Sequence, residues 1–367
     1  MGQVTERDWL YVLALIPGLG RVRLRAIYEA TGSFGTTVDN WDHVADQLKL
    51  TAPLRKAVKR QTRIESVYQL LQERTSKGVD YMCCFDDDYP VLLRHIPDPP
   101  LTLFYRGDIH LLQQPAVGVV GSRRPTPYGK ASCAYLVKEL VQAGLVIISG
   151  LAHGIDGEAH QTALAAGGKT VGVLGCGIDQ IYPASHRLLY QKIASLGLLI
   201  SEHPPGTPPV PGLFPERNRI ISGLSLGVLV VEAAEKSGSL ITADCALEQG
   251  REVFAIPGPI FSSVSAGPHN LIKQGAKLVT RSSDVLDELG VSLARKSNDN
   301  QTTTASASAL EPDEKAIVSV ISHEGTHADD LVGLLEPDMR RNLHQVLIRL
   351  EAKGAIVALP GGYFAKR

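Results

Sequence analysis

Six short runs of apolar, largely β-branched residues recur in the middle of the chain: Val117–Val120, Val146–Ile148, Val171–Leu174, Leu198–Ile200, Val228–Val231 and Val253–Ile256. Helix-like stretches separate most of them, and strands alternating with helices build βαβ units. Such repetition predicts an α/β fold with a doubly wound, mostly parallel sheet, over residues 76–291 with its core at about 115–285.

The 367 residues leave room for two to three domains, and the flanks read differently from the centre. Residues 1–75 read as a small all-α unit, with helices over Asp8–Ile16 and Arg21–Glu29 and a basic stretch from Pro53 that has Val67, Leu70 and Leu71 as core candidates. Between the first two helices, Pro17-Gly18-Leu19-Gly20 makes a tight turn resembling the hairpin of helix-hairpin-helix (SAM-like) modules. Its amides suit a phosphate, or it is a plain interhelical turn. Lys56, Lys59, Arg60 and Arg63 fall on one helix face, either solvated or offered to nucleic acid. Residues 292–311 are polar and low in complexity, which predicts a flexible linker. From residue 312 the pattern is helices around Glu314–Ile321, Asp329–Leu335 and Met339–Lys353, then runs Ala355–Leu359 and Tyr363–Ala365 about Pro360-Gly361-Gly362. That is a winged-helix pattern over 312–367. Arg340, Arg341, Arg349 and Lys353 make its third helix basic, for a DNA groove or a protein partner.

With 44% hydrophobic and 20% charged residues, a disordered, collagenous or disulfide-scaffold chain is excluded. Lys and Arg total 37 against 38 acidic residues, which excludes bulk coating of nucleic acid by charge but permits a local basic patch. Cys83, Cys84, Cys133, Cys176 and Cys245 include no CxxC pair, so no zinc ribbon is expected and a reduced, cytoplasmic setting fits. The N-terminus has no secretory pattern, and Glu6 stands where a myristoylation motif needs Ser or Thr. No run of about eighteen apolar residues predicts a membrane span.

The first strand of the repeat runs into Gly121-Ser122-Arg123-Arg124, with a helix after Pro127. A glycine after a strand, free amides at a helix N-terminus and a guanidinium together suit an anion. Ser149-Gly150, Gly175-Cys176-Gly177 and the loop after Val231 end strands of the same sheet and should line the same crevice. Asp156, with Glu158 and His160, begins a helix and is read as a cap in preference to a catalytic carboxylate, whereas His153 contacts a ligand or is satisfied within its loop. Phe214-Pro-Glu-Arg217-Asn218-Arg219 sets two guanidinium groups beside an aromatic ring, the devices expected for single-stranded nucleic acid, unless one arginine pairs with Glu232 or Asp244. Lys236-Ser237-Gly238-Ser239 precedes a helix and makes a second anion cradle.

Three motif matches are discounted. His323-Glu-Gly-Thr-His327 places glycine where a zinc-binding helix needs its interior, and the stretch falls between helices, so no metal site is expected. Gly168-Lys169-Thr170 lacks the first glycine of a Walker A loop, Ala163 standing there. Gly172-Val-Leu-Gly175-Cys-Gly177 lacks the ordered dinucleotide turn.

Taken together, Gly121-Ser122-Arg123 with Tyr128-Gly129, Ser149-Gly-Leu-Ala-His-Gly-Ile-Asp156, Gly168-Lys-Thr through Asp179 with Tyr182-Pro183, Phe214-Pro-Glu-Arg-Asn-Arg-Ile-Ile221 and Lys236-Ser-Gly-Ser-Leu-Ile-Thr242 resemble the bacterial DNA processing protein A (DprA/Smf) family, strongly over about residues 80–290. The resemblance implies a Rossmann-like domain that is not an enzyme and needs no cofactor. It would bind single-stranded DNA, protect it and load the RecA recombinase onto it in natural transformation. Arg123 would grip phosphate, supported by Arg217, Arg219 and Lys236, with Phe214 as a stacking ring. Gly121, Ser122, Ser149, Gly150, Lys169, Asn218, Ser237, Gly238 and Ser239 complete the implied nucleic-acid site. Homodimerisation would involve His269, Leu271, Ile272 and Leu278. Many members carry lysine where this chain has Ala184. The alternative from the enzyme class is a nucleotide-processing hydrolase of the cytokinin-activating, lysine-decarboxylase-like type. Its PGGxGTxxE segment is similar in place to Ser237–Thr242, which lacks the catalytic glutamate.

Overall fold

The computed structural model describes residues 4–76, 79–291, 312–322, 326–335, 340, 342–352, 355–359 and 363–366. The chain divides into two compact units, residues 1–294 and 295–367. The expected linker, 292–311, lies outside the described residues.

The first unit opens with helices α1 (Glu6–Ala14), α2 (Arg21–Thr31), α3 (Phe34–Asp39), α4 (Trp41–Gln47), α5 (Ala52–Gln61) and α6 (Ile64–Ser76). A capping box starts α1, Thr5 and Asp8 each satisfying the other's backbone N–H. Glu6 reaches across to the N-terminus of α3, where its carboxylate accepts from Phe34 N at 2.7 Å and Ser33 Oγ at 2.6 Å. Leu10, Leu13, Leu24, Ile27, Phe34 and Trp41 are buried in a core that also contains Tyr81, Phe104 and Leu199. The helical segment therefore packs against one end of the sheet instead of standing apart.

That sheet has nine strands: β1 (Asp80–Cys83), β2 (Thr102–Gly107), β3 (Ala116–Val120), β4 (Val146–Ser149), β5 (Thr170–Leu174), β6 (Leu198–Ser201), β7 (Gly227–Val230), β8 (Glu252–Ala255) and β9 (Lys277–Leu278). Their spatial order is β1-β2-β6-β5-β4-β3-β7-β8-β9. From β3 to β9 the pairs are parallel, while β2 is antiparallel to β6 and β1 to β2. The six strands expected from the apolar runs are β3 to β8, within one residue at each end. Helices α7 (Val91–Arg94), α8 (Pro127–Gln142), α9 (Ile155–Ala165), α10 (Arg187–Leu196), α11 (Leu213–Gly223), α12 (Gly238–Glu248), α13 (Ala266–Lys273) and α14 (Ser282–Glu288) complete the unit. Two cores, one containing Val120, Ile148 and Val230 and the other Val119, Ile147 and Leu229, show neighbouring residues of each strand buried on opposite faces. The chain leaves β3 for β4, β5 and β6 on one side and returns to β7, β8 and β9 on the other. This reversal opens a crevice at the carboxyl ends of β3 and β7, the Rossmann-like place for a ligand.

The second unit holds α15 (Pro312–Val320), α16 (Ala328–Leu334) and α17 (Leu343–Ala352) with strands β10 (Thr326–His327), β11 (Ile356–Leu359) and β12 (Tyr363–Lys366), paired in the order β10-β12-β11. Ile317, Leu331, Leu343, Leu347 and Leu350 make its core, a winged-helix arrangement. Arg349 lies 4.0 Å from Glu314, and Arg340 Nε donates to Leu335 O at 2.7 Å. Arg341, Lys353, the Pro360-Gly361-Gly362 turn and residues 323–325 of the His-Glu-Gly-Thr-His match lie outside the described residues.

Candidate nucleic-acid interface

At the carboxyl ends of β3 and β7 lies an open cleft of about 480 Å³. From β3 the chain turns through Gly121 and Ser122, whose Oγ accepts from Arg124 N at 3.1 Å. Arg123 and Arg124 are exposed along the cleft. Helix α8 follows, capped by Thr126 Oγ1, which accepts from Gly129 N at 3.1 Å. The opposite rim comes from the loop after β7: Lys236 is exposed, and Ser237 caps α12, its Oγ accepting from Ser239 N at 3.4 Å. Gly238 and Ser239 continue the rim. Glu232 joins the two walls from within, accepting from Thr126 N at 2.8 Å and Thr126 Oγ1 at 2.5 Å. One rim thus presents two guanidinium groups, and the other presents an ammonium with a helix N-terminus.

The two arginines of α11 are placed differently from the sequence expectation. Arg217 is 5% exposed. Its Nη1 donates to Gly150 O at 2.7 Å and also to Val173 O, tying the ends of β4 and β5 together. A side chain at position 150 would meet this guanidinium at 2.3 Å, so only glycine fits there. Burial lowers the Arg217 pKa to about 10, opposed by the charge of Asp156. Burial likewise raises the carboxyl of Asp156, opposed first by Arg217. Arg219 is 9% exposed and grips Glu202 with Nη2 at 2.7 and 2.9 Å, while its Nε donates to Asp98 at 3.2 Å. Neither Glu232 nor Asp244 is the partner. Both arginines are committed to acceptors inside the protein, and Arg219 does not line the cleft. Arg217 reaches the cleft as part of its floor.

Asn218 Nδ2 donates to Gly238 O at 3.2 Å, fixing α11 to the start of α12. Phe214 is half-buried on the cleft wall, its ring 5.2 Å from that of Tyr182. Ser149 is fully buried and its Oγ donates to Val119 O at 2.6 Å, a cross-strand bond beneath the cleft. Lys169 lies apart from the others. It precedes β5, at the strand's amino end, so it occupies the edge opposite the cleft, and its Nζ donates to Leu196 O at 3.0 Å. Asp156 begins α9, accepting from Ala152 N at 3.4 Å, and the charge of Arg217 is what most opposes the effect of its burial. His160 is buried against Thr170 Oγ1 at 2.6 Å, and burial lowers its pKa to about 3, leaving it neutral.

Of the residues expected at a self-association surface, Leu271 is buried in the core, Ile272 packs partly against it and His269 Nε2 bonds Gly258 O at 2.9 Å. Leu278, on the edge strand β9, is 44% exposed. Arg124 and the Tyr182-Pro183 motif are named in the sequence reading without a site role; the structure places Arg124 in the cleft as a further cation and Tyr182 on the adjoining slot.

The family described as DNA recombination-mediator protein A matches residues 80–290, and the DprA winged helix domain matches residues 301–362. DNA processing protein DprA of Bacillus subtilis is 44% identical over 262 residues, 68% of this chain and 88% of its own. Protein Smf of Escherichia coli is 43% identical over 282 residues, 76% of this chain and 75% of its own. The X-ray structure of DNA processing protein A from Streptococcus pneumoniae superposes with a TM-score of 0.66 at 39% identity, covering 78% of this chain and 99% of that one. DNA processing protein A from Helicobacter pylori, solved for its single-stranded DNA binding mode, superposes with a TM-score of 0.52 at 33% identity, covering 57% of this chain and 95% of that one. With matching domains in both units and relatives sharing most of their length with it, the chain belongs to the DNA recombination-mediator protein A family.

Proposed function

We propose that the protein binds single-stranded DNA in the cleft at the carboxyl ends of β3 and β7, protects it, and loads the RecA recombinase onto it in natural transformation and homologous recombination. The observation that carries this reading is the juxtaposition of exposed Arg123, Arg124 and Lys236 with the N-terminus of α12 and the ring of Phe214 in one open cleft. Cations and helix amides take phosphates, and a ring beside them takes a base, a combination suited to an unpaired strand. The described relative from Helicobacter pylori binds single-stranded DNA, which supports the same ligand here. In this reading the protein is a cytoplasmic, non-catalytic homodimer. The cleft's buried carboxylate, Asp156, accepts from Ala152 N and lies in the field of the Arg217 charge, which fits a structural role.

The test is anisotropy of a fluorescent oligo-dT and a matched duplex over a salt series. The expected result is tight, salt-sensitive preference for the single strand. Equal binding of both forms, or release of base or phosphate from nucleotides, overturns the reading in favour of the hydrolase. RecA loading is tested by its ATPase on oligonucleotide covered with single-strand-binding protein, which this chain should accelerate.

A further inference from the structure

Beside the cleft, and sharing Arg123, Ala152 and Phe214 with it, is a narrower slot that the phosphate-binding reading leaves unused. One wall is a pair of rings, Tyr182 and Phe214, with centroids 5.2 Å apart and planes at 36°. Its floor is the end of β5 at Gly175 and Cys176. A Cβ at position 175 would stand 2.7 Å from Phe214 Cδ1, so glycine there lets the Phe214 ring lie directly on the strand end and fixes that wall. The facing residue is His153, which is exposed and meets His186 edge-on at 5.1 Å. His186 is anchored by Nδ1 to Leu151 O at 3.1 Å. Tyr182 is 44% exposed. Pro183 follows it on the same wall, so this side of the slot offers a ring face and apolar surface. The interior of about 30 Å³ is room for water, not for a base, which places a planar ligand across the mouth, against Tyr182.

We infer that Tyr182 is a base-binding residue: an unpaired base turned out of the strand caps the slot on the Tyr182–Phe214 wall while Arg123, at the same mouth, holds the adjoining phosphate. The inference rests on the single-strand reading above and deepens it. A paired base is already stacked within its duplex, so this station selects unpaired strands, and it tolerates any base because each has a π-face.

The experiment uses the full chain with oligo-dT, with the same oligomer carrying abasic sites, and with one carrying a single 2-aminopurine. Expected are quenching of 2-aminopurine on binding, and an affinity for oligo-dT lowered about 5-fold or more in Tyr182→Ala, with the salt slope unchanged because no phosphate contact is lost. Tyr182→Phe keeps both signals, since the ring and not the hydroxyl is used. The abasic oligomer binds wild type and Tyr182→Ala alike. Wild-type affinity and quenching in Tyr182→Ala overturn the inference while leaving the single-strand reading intact. Equal losses on dT and abasic oligomers also overturn it, as a structural role. A wild type that binds no single strand overturns both.

Discussion

Replacing Arg217 by Ala separates a structural guanidinium from a phosphate-binding one. Three things depend on this side chain: the carbonyls of Gly150 and Val173, and the charge of Asp156, which is 7% exposed. Leaving two buried carbonyls without their donor costs about 1–3 kcal/mol each, so about 2–6 kcal/mol in all, before the lost compensation of Asp156 is counted. At about 2 °C per kcal/mol for a unit of this size, the unfolding transition of the first unit falls by about 4–12 °C in calorimetry. Arg217→Lys keeps the charge but not the planar fork that reaches two carbonyls, and should fall between. Arg217→Met combined with Asp156→Asn removes both charges and should recover part of the loss, giving a coupling energy of about 0.5–3 kcal/mol in the double-mutant cycle. The DNA titration supplies the decisive contrast. Arg217→Ala that still folds should keep the wild-type salt slope, since no phosphate contact has gone. A variant that melts as wild type does and loses about 0.7 from the slope would refute the assignment and return Arg217 to the DNA.

Arg123→Ala should do the reverse, leaving the melting temperature unchanged and reducing the single-strand salt slope by about 0.7, so that its deficit shrinks about 2.6-fold between 50 and 200 mM salt. Lys169→Ala should leave single-strand affinity unchanged in the same anisotropy titration, because that lysine sits at the far edge of the sheet; weakened binding would place DNA there. Phe214→Ala should cost about 1–3 kcal/mol of binding at constant salt slope, and unchanged affinity would assign the ring to packing on Gly175. His160 has its folded pKa lowered from 6.5 to about 3, so the unfolded chain binds the extra proton and stability falls as pH drops below about 6.5. The loss at pH 5 is about 2 kcal/mol, read by denaturant titration against His160→Gln, which should lack that pH dependence.

The central sheet is legible because burial on both faces writes itself as unbroken apolar runs, and β3 to β8 fall where those runs stand. Strand β9 escapes the same logic: it is two residues long, Lys277 and Leu278, both exposed at one edge of the sheet, where one flank meets solvent and the apolar signal thins. Within the site, Gly121–Arg123 and Lys236–Ser239 are legible because a strand end followed by a helix start is a local event, and local chemistry fixes where its amides point. The arginines of α11 are not local in this sense. Every residue from Arg217 to Gly223 is buried, so the helix has no solvent face there from which periodicity could sort a DNA-facing cation from an inward one. Their acceptors lie far off in sequence, Asp98 being 121 residues from Arg219 and Val173 44 residues from Arg217. A buried guanidinium keeps its charge only where such acceptors meet it. The same residues that read as a cationic motif along the chain therefore serve, once folded, to hold the floor on which the exposed cations stand.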